Sequence, residues 1–205
     1  MWCDERRYAL IYNGEIYNYK TLRAELVNHG CKFHSQSDTE VLLHALIVWG
    51  VNCFSRLEGM FAGAFLDTKT GQSLIFRDHL GIKPLYYAQH ESALVFASEV
   101  KALKPVLGSF SLNQDAIHEQ IHFRHVAGER TLFRNIKRLL PGHYIIRDSK
   151  GNQKIECYYD VTQSLRTRPK VTPDNNEIEE LLKDSIRAHT VSDVGYSVQL
   201  SGGID

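Results

Sequence analysis

The chain has 205 residues, 43% hydrophobic and 23% charged, enough to bury a sizeable core without disulfides or a structural metal. Lys plus Arg (24) equals Asp plus Glu (24). A formal net charge of zero argues against a basic nucleic-acid surface or a polybasic membrane patch. No apolar run approaches the roughly 20 residues of a transmembrane helix, and residues 1–8 lack the apolar segment of a signal peptide. Cys3, Cys31, Cys53 and Cys157 lie far apart with no Cys-x-x-Cys pair. They read as reduced thiols of a cytoplasmic protein, not a disulfide frame or a zinc site. On length, one domain and part of another are expected.

Tyr8–Tyr12 is rich in β-formers and predicts a strand ending at Asn13-Gly14. Leu22, Leu26 and Val27 at helical spacing predict a helix over Asn18–His29, stopped by Gly30. Ser37-Asp-Thr-Glu40 has the pattern of a capping box and opens an apolar helix, Val41–Trp49, stopped by Gly50. Strands are expected at Met60–Asp67 and Ser73–Arg77 around the turn at 68–72, and at Pro84–Ala88 and Ala93–Ser98. A further hairpin joins His143–Arg147 to Lys154–Tyr159. The polar stretch Val161–Asn176, with Pro169 and Pro173, reads as an interdomain linker. Beyond it, Ile178, Leu181, Leu182 and Ile186 mark an amphipathic helix over Glu177–Ala188. Val194–Leu200 is strand-like and runs into Ser201-Gly-Gly-Ile-Asp205.

Four constellations could carry chemistry. Asn13-Gly14-Glu15 offers a side-chain amide beside a backbone N–H, the donor pair of an oxyanion hole; the plainer reading is a strand-to-helix turn with Asn18 as helix N-cap. Asp38 sits in the first turn of a helix, where the dipole favours an acid whatever the function. Ser201-Gly-Gly-Ile-Asp205 after a strand offers glycine N–H groups to a phosphate, without the Lys of a Walker loop. His118-Glu-Gln-Ile-His122 matches the two-histidine pattern of zinc peptidases, but where a third ligand is wanted the chain has His125 and Gly128. A surface helix with scattered histidines is the plainer account.

Taken in order, Asn13-Gly-Glu-Ile-Tyr-Asn-Tyr19, Ser37-Asp-Thr-Glu-Val41, Leu57-Glu-Gly-Met-Phe-Ala62, Arg77-Asp-His-Leu-Gly-Ile-Lys-Pro-Leu-Tyr-Tyr87, Phe96-Ala-Ser-Glu99, Leu140-Pro-Gly142 and Ser201-Gly-Gly-Ile-Asp205 resemble glutamine-hydrolysing asparagine synthetases over nearly the whole chain. The resemblance implies an α+β fold. A four-layer αββα sandwich of the N-terminal-nucleophile type (a class II glutamine amidotransferase) would span 1–160. A linker at 161–176 and the start of an α/β ATP-pyrophosphatase domain at 177–205 would follow. It further implies ATP with Mg2+, aspartate and glutamine as reactants, giving asparagine, glutamate, AMP and diphosphate, with no resident metal, nucleic acid or membrane partner; a homodimer is left open. Asn13 and Gly14 resemble the oxyanion hole, and Glu15 and Asp38 the residues that take the α-amino group of glutamine. Leu200, Ser201, Gly202, Gly203 and Asp205 resemble the start of the ATP loop. The family nucleophile is a cysteine directly after the initiator Met, whereas Trp2 follows Met1 here, so Cys3 is not expected to take its place. The expectation is therefore a piece lacking its first strands and most of its second domain, inactive by itself. Three alternatives remain: an amidotransferase acting on another carboxylate, a glutamine-binding module without catalysis, and a zinc peptidase through His118 and His122.

Overall fold

The computed structural model describes residues 1–3, 6–167, 174–191 and 194–202. It divides into Met1–Arg166 and Thr167–Asp205.

In the first unit, β1 (Tyr8–Ile16) leads into α1 (Tyr19–Asn28) and α2 (Asp38–Trp49). A 3₁₀ segment (Gly50–Arg56) then feeds β2 (Gly59–Asp67) and β3 (Gln72–Arg77). Next come β4 (Tyr86–His90), β5 (Ala93–Ala97), the short α3 (Lys104–Leu107) and α4 (Gln114–Phe123). The two-residue β6 (Lys137–Arg138), then β7 (His143–Arg147) and β8 (Gln153–Cys157), complete the sheets. Five strands form one antiparallel sheet in the order β1-β2-β3-β7-β8, and three form a second in the order β5-β4-β6.

Side-chain alternation along the strands builds the layers. Leu10, Phe61, Leu74, Phe76 and Tyr144 point to one face of the large sheet, where they pack with Leu22 and Leu26 of α1 and Val41, Leu42 and Leu46 of α2. Intervening residues Ala62, Ile75 and Ile145 point to the other face, against Leu85, Tyr87, Leu94 and Phe96 of the small sheet. Tyr86, Ala88 and Val95 on the back of the small sheet meet Leu103, Leu107, Phe110 and Phe133. The result is the expected four layers, helix on sheet on sheet on helix. Phe54 anchors the first interlayer, with its ring 4.9 Å from Tyr158, 5.2 Å from Phe76 and 5.7 Å from Tyr144 between centroids. Tilted aromatic clusters of this kind add stabilisation beyond the area they bury.

The hairpin through 68–72, the β4–β5 hairpin and the β7–β8 hairpin form where periodicity places them. Four expectations need correction. First, β1 does not end at Asn13-Gly14. It continues to Ile16, with Asn13 opposite Ala62 and Gly14 opposite Phe61. A Cβ at Gly14 would stand 2.2 Å from the Met60 carbonyl, so the glycine serves close strand approach and not a turn. Second, Ser37 does cap α2 by accepting from Thr39 N–H at 3.1 Å, but Glu40 does not close the box. Third, the stretch read as linker opens with α5 (Val161–Thr167), nucleated by Asp160, which accepts from Thr162 N–H and Oγ1–H. Its seven residues hold only Val161 and Leu165 as apolar side chains, both exposed, too few to reveal such a helix by period. Fourth, 194–202 is neither strand nor helix, and no described strand pairs with it; strand-like composition makes a strand only where a neighbouring strand completes the ladder.

In the second unit α6 (Asn175–His189) starts two residues before the expected Glu177, because Asp174 and Glu177 form a true capping box. Its apolar stripe, Ile178, Leu181, Leu182 and Ile186, is exposed.

Arg77 and Asp78 hold the sheets in register. Asp78, 1% exposed, accepts from the N–H groups of Phe61 (3.2 Å), Leu80 (3.1 Å), Ile82 (2.9 Å) and Lys83 (2.9 Å). Replacing it by Asn turns an amide N–H₂ toward some of these donors and is expected to cost roughly 3 kcal/mol of folding free energy. Urea unfolding of Asp78→Asn measures this, and a loss under about 1 kcal/mol would contradict the assignment.

Candidate active site

The amide and hydroxyl groups that could do chemistry gather at the C-terminal half of β1, which is the edge strand of the large sheet. In an antiparallel edge strand, alternate N–H groups point away from the partner. Leu10 N–H reaches the Met1 carbonyl and Ile16 N–H reaches Asp38 Oδ2 at 3.0 Å, so even-numbered residues face the open edge. Gly14 shares that parity, and its N–H therefore faces off the edge. Asn13, of opposite parity, presents its exposed side chain on the inner face, where Nδ2 donates to Ser98 Oγ at 3.3 Å just beyond β5. A side-chain amide and a neighbouring backbone N–H are thus presented at one corner of the sheet, the donor pair an oxyanion needs.

Glu15 follows directly and is half-buried. Asp38 comes from the start of α2, and its carboxylate is tied back to β1: Oδ2 accepts from Tyr12 Oη at 2.9 Å as well as from Ile16 N–H. Oδ1 accepts from Thr39 Oγ1 at 3.3 Å. Glu15 and Asp38, far apart in sequence, are therefore brought to adjacent residues of one strand edge.

The loop before α2 has its own support. Glu40 is buried and accepts from His34 N–H (2.8 Å), Ser35 N–H (2.7 Å) and Ser35 Oγ–H (2.6 Å). Burial pushes its pKa up, but these three donors and the charge of His44 outweigh burial and hold the carboxyl below the ordinary glutamate value. The capping-box glutamate is thus used to fasten 34–35 under α2 and so to set where Asp38 starts. Asn18 stands at the N-cap position of α1, yet its side chain makes no cap bond. It bridges Arg56 O (2.9 Å) and Glu58 N–H (3.1 Å) instead, locking the end of β1 to the start of β2.

Other candidates lie elsewhere. Cys3 Sγ accepts from Tyr8 N–H at 3.2 Å, at the opposite end of β1. Five residues of strand, about 16 Å, separate Tyr8 from Asn13. Cys53 is fully buried in the helix-side core, and Cys157 Sγ donates to the Tyr159 carbonyl. In α4, Glu119 takes Arg130 and Ala127 N–H, and His122 Nδ1 lies 2.8 Å from the His118 carbonyl. Among the described residues no three His, Cys, Asp or Glu side chains gather as a metal site. Leu200, Ser201 and Gly202 are exposed in irregular chain; Gly203 and Asp205 lie outside the described residues. Sequence reading missed Tyr12 and Ser98. By composition Tyr12 is one more β-former of the apolar strand, and only its position two before Gly14 on the same face hints otherwise.

A family model described as a glutamine amidotransferase domain matches residues 1–159. The chain belongs to this glutamine amidotransferase family. It is 34% identical over 207 residues to asparagine synthetase [glutamine-hydrolyzing] 1 of Bacillus subtilis, covering 98% of this chain and 32% of the relative. With asparagine synthetase B [glutamine-hydrolyzing] of Escherichia coli K12 the identity is 35% over 208 residues, all of this chain and 32% of the relative. The chain therefore spans about a third of the length of these relatives. Among solved structures, glutamine phosphoribosylpyrophosphate amidotransferase from Bacillus subtilis is similar with a TM-score of 0.53 and 24% identity, over 74% of this chain and 29% of that one. That likeness bears on the fold alone and fits the expected four-layer sandwich. The described helices include none long and apolar enough to cross a membrane.

Because the folded-state pKa of Glu40 is depressed, its contribution is present at neutral pH and is lost as the pH falls below about 4.5. Melting temperatures of the wild type and Glu40→Gln should differ at pH 7 and converge on acidification. A gap that widens in acid would reverse the sign.

Proposed function

We propose that this chain is the glutamine-hydrolysing domain of a glutamine-dependent, asparagine-synthetase-type ligase. The observation that carries the reading is the convergence at the edge of β1: Asn13 and Gly14 as oxyanion donors, with Glu15 and Asp38 beside them for an α-ammonium. In this reading the substrate's side-chain carbonyl sits at the corner between the Asn13 amide and the Gly14 N–H. Charge that develops on its oxygen during attack meets two fixed donors, each worth roughly 3–4 kcal/mol in the transition state. Glu15 and Asp38 supply two negative charges for one ammonium, which selects a free amino acid over an internal residue of a protein.

Cys3, Cys53 and Cys157 lie away from that corner and Cys31 packs against the helix-side core just after α1, so the nucleophile is assigned to a cysteine outside this sequence, and the chain alone is expected to release no ammonia. Aspartate as acceptor, with ATP and Mg2+ to activate it, belongs to the remainder of the whole enzyme. The names of the relatives support that assignment, and the described residues derive no step of it. The unit beginning at Thr167 is read as the start of that second domain, with its exposed α6 stripe as a face the domain would cover.

Behind an N-terminal nucleophilic cysteine, as in the proposed enzyme, Asn13→Ala should lower kcat for glutamine hydrolysis about 100-fold with little change in KM. Asp38→Ala should instead raise KM at least tenfold. Ammonia release by the 205-residue chain itself, abolished by Cys3→Ala, would overturn the reading.

A further inference from the structure

Asp38 is attached to its helix by rotatable bonds, and a carboxylate that must receive a ligand cannot be left to choose its own rotamer. The strand makes the choice. Tyr12 and Ile16 stand two residues before and after Gly14, and both donate to the same oxygen, Oδ2. The Tyr12 ring is packed in the helix-side core, so the hydroxyl reaches Asp38 from a rigid base. Burial, then the neighbouring Asp38 carboxylate and its hydrogen bond, then the charges of Glu15 and Tyr17, all raise the tyrosine pKa above its ordinary value. The hydroxyl therefore remains a proton donor throughout the physiological range. Thr39 adds a longer contact on the other oxygen, Oδ1.

We propose that Tyr12 is a positioning residue for substrate selection: by holding Oδ2 of Asp38 together with Ile16 N–H, it turns Oδ1 toward the α-ammonium of the bound amino acid. The proposal rests on the glutamine-site reading above. Tyr12 touches no reacting atom; it acts through Asp38. Its loss should weaken recognition of the amino group specifically and leave recognition of the carboxamide end alone.

The test is calorimetric titration of the chain with L-glutamine and with glutaramate, the same molecule without the α-amino group. Wild type should prefer glutamine, and Tyr12→Phe should reduce that preference about tenfold, the effect of one charge-assisted hydrogen bond. In an Asp38→Asn background the Tyr12→Phe change should make no further difference. A merely structural role would weaken both ligands alike and leave the ratio intact. Tyr12→Leu serves as second variant should the phenylalanine protein not fold, and must show the same loss of preference. A wild type that binds neither ligand, or both equally, overturns the glutamine-site reading itself. A wild type that discriminates, with either folded Tyr12 variant discriminating equally well, overturns the Tyr12 proposal alone.

Discussion

The structure depends on two buried opposite charges next to each other in sequence, Arg77 and Asp78. Their side chains leave the end of β3 in different directions and are satisfied almost entirely by backbone. Arg77 donates to the carbonyls of Lys83 (2.7 Å), Leu139 (2.6 Å) and Gly81 (2.6 Å), while Asp78 gathers four N–H groups. Leu139 approaches β7 of the large sheet, Lys83 leads into β4 of the small one, and Phe61 belongs to β2. One dipeptide thus fastens both sheets and the crossing between them. Charges buried in this way are costly unless every polar atom is met, and then they tolerate one geometry. The main chain follows suit, with Asp78 N–H to Phe61 O at 2.7 Å and Gly142 N–H to Asp78 O at 2.8 Å.

That knot reaches the candidate site in two steps. Phe61, held by Asp78, is the residue opposite Gly14, and the absence of a side chain at Gly14 lets the two strands close on each other. Tight pairing on the inner side leaves the Gly14 N–H to the outer side. The edge position of β1, a weakness in most sheets because its donors are unpaired, is here what turns the Gly14 N–H toward the candidate site. Asp38 then closes the corner from α2, placed by a serine cap, by Glu40 gripping the preceding loop, and by Tyr12 from the strand.

Much of the fold was legible because strand and helix periods are strong where burial is one-sided. The hairpins around 68–72 and 91–92, α1, α2 and the amphipathic α6 all follow from alternation, caps and glycine stops. What was not legible has local physical causes. Asn13-Gly14 has the composition of a turn, and only the approach of Met60 and Phe61 makes it strand. Glu40 occupies the capping-box position but finds better donors in His34 and Ser35 than in the Ser37 N–H. The helix at 161–167 depends on one aspartate cap, and Val194–Leu200 reads as a strand by composition but pairs with none of the described strands. Such outcomes depend on neighbours that are remote in the chain.

By itself the sequence determined the order of most elements and their apolar faces, which follow from spacing and side-chain type; the expectation of four layers and the candidate set Asn13, Gly14, Glu15 and Asp38 came from the resemblance of its ordered motifs to a known family. The tertiary structure decided which of those groups meet. It set the edge position of β1 that frees the Gly14 N–H, and the contact that ties Asp38 to Tyr12 across 26 residues. It also put the strand length between Cys3 and Asn13. Distance and direction between groups far apart in the chain come from packing, and chemistry at a site is a matter of distance and direction.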